Sequence, residues 1–167
     1  MADIIKESGL SSGAIYSHFD TKADLVRFTM TNMLEDRFAV LSGPPPETAD
    51  AGFATPHSLL EQLLSGPAEH REQTQVLLQV WAEMARDAEL AAVAEENIAH
   101  LQELLDRALL PWAQDRAGPS EPSARSSRAT AEWLVTLLFG YSIRLALQPG
   151  TDAARLRSEL LMTTDPG

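Results

Sequence analysis

Three observations predict an all-α protein. Apolar residues recur at three- and four-residue spacing through most of the chain. No segment alternates apolar and polar residues with the two-residue period of a strand. Clusters of Gly, Pro and Ser cut the chain into pieces of helical length, at Ser42-Gly43-Pro44-Pro45-Pro46, Ser65-Gly66-Pro67, residues 117–125 and Gln148-Pro149-Gly150.

The elements follow in order. Ile4 and Ile5 give a first helical segment its apolar side, and Gly9 ends it, as glycine does where the chain must turn left-handed. Leu10 plugs the turn, and Ser11 can accept from the free amides of a second, short helix. Ile15 and Phe19 lie four residues apart and face inward together. The outer side is then Ser12, Gly13, Tyr16 and Ser17, small and hydrogen-bonding, which suits a DNA major groove. Thr21 is an N-cap with Asp24 three residues on, and a third helix is expected over 22–41. Residues 43–55 read as a loop. Thr55-Pro56 starts a helix that Ser65-Gly66-Pro67 should break. Further helices are expected over 68–86 and 88–116, the second carrying the stripe Val93, Asn97, Leu101, Leu104, Ala108 and Trp112.

The helix expected over 126–147 differs from the others. At about 100° per residue its apolar side chains fall all round the axis. Such a helix is buried on every side, or faces a partner as well as its own core. In a chain of 167 residues a second copy is the economical partner. Thr151-Asp152 caps a last helix with Leu156, Leu160 and Leu161 inward.

Composition narrows the function. The absence of cysteine excludes disulfides and thiolate metal sites and fits a reducing cytoplasm. No apolar run approaches the ~20 residues of a membrane helix, so no membrane partner is expected. A net charge of −11 argues against nucleic-acid binding by the whole chain, although only the local field matters at one end. The four histidines are scattered without metal-site spacing, no phosphate-binding glycine loop is present, and no nucleophile has a base beside it. Neither a cofactor, nor a metal, nor a catalytic residue is expected.

The turn region resembles the helix-turn-helix of the tetracycline-repressor (TetR/AcrR) family of bacterial regulators. The resemblance rests on Ile4, Gly9, Leu10, Ser11, Gly13, Ile15, Tyr16, His18, Phe19, Lys22 and Leu25, and above all on the run Gly9 to Phe19 followed by Thr21-Lys22-Ala23-Asp24-Leu25. It covers about residues 1–40 by motif and the remainder by helical layout. Ser12 departs from the lysine common there, and Ile5 from the usual alanine. The resemblance also implies a preceding helix with a basic arm, packed under Ile4, Ile15 and Phe19. The chain opens at Met1 inside the motif, so a truncated DNA-binding end is expected.

The fold implied is TetR-like, with a helix-turn-helix end and linking helix over 1–41 and a helical effector-binding and dimerisation domain over 42–167. Ser11, Ser12, Gly13, Ala14 and Ser17 would face base edges, while Tyr16 and His18 would donate to phosphates. Lys22 would add a cation at a helix start. The family's effector cavity lies among the central helices, so Trp81, Met84, Asn97, His100, Leu101, Trp133, Leu137, Tyr141 and Arg144 are the candidate lining for a small apolar or aromatic effector. Each has a plainer role as a core or locally satisfied residue. Arg144, on an apolar helix, needs a carboxylate or carbonyls, with Glu83 or a second subunit as the source, or it is the counter-charge of an acidic ligand. The family dimerises through its last two helices, and Leu134, Leu138, Phe139, Leu145, Leu156 and Leu160 are the interface candidates.

The function implied is a ligand-responsive transcriptional repressor binding a near-palindromic double-stranded operator as a homodimer. The reading kept beside it is a helical ligand-binding or scaffolding dimer that does not bind DNA. Through Arg27 the DNA-binding end carries Lys6, Lys22 and Arg27 against Asp3, Glu7, Asp20 and Asp24, a net −1. Phosphate neutralisation supplies most non-specific affinity. Residues 1–167 alone are therefore expected to bind DNA weakly, and an added upstream basic segment to strengthen binding. Anisotropy titrations of both lengths across a range of salt check this.

Overall fold

The computed structural model describes residues 53–116 and 123–164, with residues 21, 24, 27 and 28. Five helices and no strand occur among them: α1 (Pro56–Glu69), α2 (Arg71–Met84), α3 (Ala88–Arg116), α4 (Ser123–Leu147) and α5 (Ala153–Leu161). The turn motif falls outside the described residues, and with it Ser11, Ser12, Gly13, Ala14, Tyr16, Ser17, His18 and Lys22.

Local chemistry sets the ends of these helices. Thr55 and Ser58 form a reciprocal capping box: the Thr55 hydroxyl accepts from the Ser58 amide at 3.2 Å, and the Thr55 amide donates to Ser58 Oγ at 3.0 Å. Pro56 occupies the first helical position. The expected break at Ser65-Gly66-Pro67 does not occur. Pro67 sits inside α1, buried, and the helix closes only where the His70 amide donates to Gly66 O at 3.0 Å. Proline removes one hydrogen bond, to the carbonyl four residues back. Burial of Pro67 with Leu63 and Leu64 in the same final turns offsets that loss. The next helix consequently starts at Arg71 rather than 68, and it ends at Met84. Asp87 caps α3 by accepting from the amides of Glu89 at 3.0 Å and Leu90 at 3.4 Å. Asp152 caps α5 by accepting from the Arg155 amide at 3.0 Å. The same logic holds at Thr21, whose hydroxyl accepts from the Asp24 amide at 3.1 Å while its own amide donates to Asp24 Oδ2 at 3.0 Å.

Helix α4 begins three residues earlier than expected and packs against each of the other four helices, most extensively α3. It is not buried all round. One face, carrying Ser127, Ala131, Leu134, Val135, Tyr141 and Leu145, is almost wholly buried. The opposite face carries Trp133, Ile143 and Leu147, which are 38%, 37% and 66% exposed. The main core joins the buried face to Leu59, Leu60 and Leu64 of α1, Leu101, Leu105 and Leu109 of α3, and Leu156 of α5. Two polar bonds fix the register of α4. Ser127 Oγ, fully buried, donates to Asp106 Oδ1 of α3 at 2.5 Å, and the Tyr141 hydroxyl donates to Ala153 O of α5 at 3.1 Å.

Because Leu134 is 0% exposed at the meeting of these helices, Leu134→Ala should cost about 2–5 kcal/mol. Ile143→Ala on the outer face of the isolated protomer should cost far less. Urea unfolding followed by circular dichroism checks both.

Candidate functional site

A second, smaller apolar cluster stands apart from the main core. Met84, Leu90 and Val93 are its buried members, with Val80, Trp81 and Ala94 packed against it. It lies where α2 turns into α3. Trp81 extends it toward α4, where its ring meets that of Phe139 with centroids 4.5 Å apart and planes tilted by 38°. Such a separation lies at the close end of the range for an attractive aromatic pair.

The candidate lining residues divide between several places. Trp81 and Met84 belong to this cluster. Asn97 stands one turn beyond Val93 on α3, and its side-chain amide donates to Val93 O at 2.8 Å, the local satisfaction usual for such a residue. Leu101 and Tyr141 are buried in the main core, and Leu137 packs on its edge. The Tyr141 hydroxyl is engaged by α5 as described above. His100 is exposed, and Trp133 points away from the buried face of α4. These two are therefore not brought together with Trp81 and Met84.

Arg144 also corrects the expectation. It is exposed, and its Nε donates to an amide oxygen, Gln148 Oε1, at 3.3 Å rather than to a carboxylate. It borders an open groove of about 480 Å³ at the turn between α4 and α5, with Gln148, Thr151, Asp152, Arg155 and Glu159. Arg155 donates to Glu159 at 2.8 Å, and this hydrogen bond, with the carboxylate's charge, raises the Arg155 pKa. Two guanidiniums facing two carboxylates leave the groove without net charge for an anion.

Of the dimer candidates, Leu134 and Leu145 have no exposed surface and Leu156 has 7%, so all three serve the protomer's own core. Leu138 and Leu160 are half-buried against it, and Phe139 is half-buried beside Trp81. Phe139 is thus a residue of the aromatic cluster that sequence reasoning missed. The outward residues Ile143 and Leu147 were also missed. A signal for them was present: Arg128, Glu132, Thr136, Gly140 and Arg144 recur every four residues and mark the outer side of α4.

Among the described residues, an ion pair joins the N-terminal end to the body. Arg27 reaches Asp24 Oδ1 at 3.4 Å and Glu96 Oε2 of α3 at 3.8 Å. Among the described residues no group of three His, Asp or Glu could hold a metal, and no helix is long and apolar enough to cross a membrane.

A helical body preceded by a sequence that resembles a helix-turn-helix points to the class of DNA-binding transcriptional regulators. Residues 56–164 match the family described as BetI-type transcriptional repressor, C-terminal, and residues 1–27 match the bacterial regulatory proteins of the tetR family. The chain belongs to the TetR family. Its members are non-enzymatic transcription factors, and this chain is a regulator rather than a catalyst. Among solved structures, a TetR transcription regulator from Haloarcula marismortui is similar with a TM-score of 0.70 at 18% identity, over 96% of this chain and 82% of that one. Salmonella enterica GusR is similar with a TM-score of 0.65 at 19% identity, over the same shares of each chain. Both likenesses are of fold. No curated protein matches the sequence.

The placement of Tyr141 yields a test. If its hydroxyl serves to bolt α4 to α5, Tyr141→Phe should lower stability by about 0.5–1.5 kcal/mol. It should leave the environment of Trp81 unchanged, as read by emission wavelength.

Proposed function

We propose that this regulator is a homodimeric, cytoplasmic repressor that binds a near-palindromic operator and releases it when a small apolar or aromatic molecule enters the body. The observation that carries the reading is the Trp81–Phe139 contact, where a small apolar cluster meets the edge of the main core. A ligand entering there would separate the two rings and disturb the main core only at its edge, where Phe139 packs, and not at its fully buried leucines. Trp81, Met84 and Phe139 are the proposed first contacts, with Leu137 and Asn97 at the margins. The division into a DNA-binding end over 1–41 and an effector and dimerisation body over 42–167 belongs to the same proposal.

At the DNA end, Ser11, Ser12, Gly13, Ala14 and Ser17 are proposed to meet base edges, with Tyr16, His18 and Lys22 on phosphates. In the dimer two such ends would sit about 34–36 Å apart, one helical turn of DNA. Effector binding then shifts that spacing, and the two sites are coupled by a free energy that acts reciprocally.

The test is an anisotropy titration against DNA flanking the gene, with and without small aromatic probes, while Trp81 emission is followed. Binding should weaken steeply with salt. Lys22→Ala should lower affinity for all sequences alike, whereas changes at Ser12 or Ser17 should alter which sequence is preferred. Probes that quench Trp81 should release the DNA, and Phe139→Ala should change the probe concentration required. Probe binding that leaves DNA affinity unchanged would refute the ligand-response component.

A further inference from the structure

The buried hydroxyl of Ser142 has no protein partner, and we infer that it is the hydrogen-bonding anchor of an effector that is an uncharged aromatic molecule carrying one hydroxyl or carbonyl group. This rests on the effector reading proposed above. It adds the residue that recognises the polar end and the chemistry that residue selects.

Among the described residues three polar side chains are buried: Thr74, Ser127 and Ser142, at 5%, 0% and 2% exposure. Thr74 donates to His70 O at 3.1 Å, and Ser127 donates to Asp106 Oδ1 at 2.5 Å. Ser142 makes no hydrogen bond. It lacks even the bond to the carbonyl four residues back that Thr130 and Thr136 make on the same helix. A folded chain seldom leaves a buried hydroxyl unmet, and a water or a ligand completes those it does leave. The oxygen is also reachable. Gln62 Oε1 and Arg157 Nε are the described side-chain atoms that are both sealed off and unpartnered. Ser142 Oγ is unpartnered without being sealed, so the little surface the residue keeps includes its oxygen.

Its place on α4 connects it to the aromatic contact. Ser142 follows Phe139 by three residues, so the two side chains are neighbours one turn apart, with Cβ atoms about 5–6 Å from each other. In rotation Ser142 falls between Phe139 and Leu138, about 60° from the first and about 40° from the second. It stands just inside the Trp81–Phe139 pair, on the side of the main core. A flat molecule that parts the two rings brings its inner end to this hydroxyl. The hydroxyl can donate to a carbonyl or phenol oxygen and can accept from a phenol O–H. The same surroundings disfavour an ion. No charged side chain is buried among the described residues, so a carboxylate carried in would lie without a counter-charge.

Three probes of similar shape test this: 2-naphthol, 2-methylnaphthalene and 2-naphthoate, titrated by calorimetry against the wild-type protein and Ser142→Ala. Naphthoate should bind the wild type most weakly. Ser142→Ala should lower the affinity for naphthol roughly three- to tenfold, the worth of one neutral hydrogen bond, and leave that for methylnaphthalene unchanged. Without probe, Ser142→Ala should melt no lower than the wild type, because it removes an unmet donor. Ser127→Ala, which loses the bond to Asp106, should melt lower. A loss in Ser142→Ala as large as in Ser127→Ala would reveal a partner inside the protein and overturns the inference. Tightest binding of naphthoate overturns the uncharged class. Probes that quench Trp81 with equal affinity in wild type and Ser142→Ala overturn the anchor and leave the effector reading standing, with a water as the only partner of Ser142. Failure of all three probes to bind overturns both.

Discussion

The fold depends on the burial of one helix face. The inner face of α4 meets all four other helices, so each of them is positioned by what α4 presents. Leucine and alanine supply the area, but apolar contact is non-directional and sets no register. Direction comes from two polar bonds. The fully buried Ser127 hydroxyl meets Asp106 of α3, and the Tyr141 hydroxyl meets α5 where it starts at Ala153. A slip of either helix would break one of these bonds, at a cost of about 0.5–1.5 kcal/mol. That penalty is large beside the stability of a domain of this size.

The all-α class, the order of the helices and most caps were legible, because Thr55, Asp152 and Thr21 hold their signals within three or four residues. Pro67 was misread for a physical reason. A proline ends a helix by default, and only burial of the surrounding turn makes continuation worthwhile, which no local rule reveals. The two faces of α4 were misread for another. With apolar residues in every direction, hydrophobicity cannot say which side is inward, and attention to apolar side chains alone assigned Leu134 and Leu145 to the wrong face. The sparse polar row Glu132, Thr136, Gly140 and Arg144 held the answer. Arg144 was treated as a buried charge because its neighbours are apolar, but its neighbours on the outer face are apolar and exposed. Of the smaller apolar cluster, Trp81 and Met84 had been named together from the sequence. Phe139 was assigned elsewhere, since its contact with Trp81 joins residues far apart in sequence.

A chain of polar contacts runs from Thr21 to α3. Asp24 takes part in the cap at Thr21 and also holds Arg27, which reaches across to Glu96 on α3. The helix start is thus tied, through two side chains, to the helix that carries Val93 and Leu90 into the smaller cluster. At 3.8 Å, with both side chains well exposed, the Arg27–Glu96 pair is screened by solvent and contributes at most about 1 kcal/mol.

That weakness bears on how a signal could cross the molecule. Coupling between two sites in a regulator is typically about 1–3 kcal/mol, which one exposed ion pair cannot supply. Most of it must come from packing, and in the proposed mechanism the main core is too costly a place to rearrange, because α4 alone fixes four helices there. The smaller cluster has the appropriate scale. It has three buried residues, is bounded by the α2–α3 turn, and touches α4 through the tilted contact of Trp81 with Phe139. Moving α3 relative to α4 at that end changes a few side-chain contacts, each worth a fraction of the total. It also displaces Glu96, which lies on the same helix and one turn from Val93. A ligand need then only favour one packing of this cluster over another, and the ion pair at Arg27 follows the helix that bears its partner.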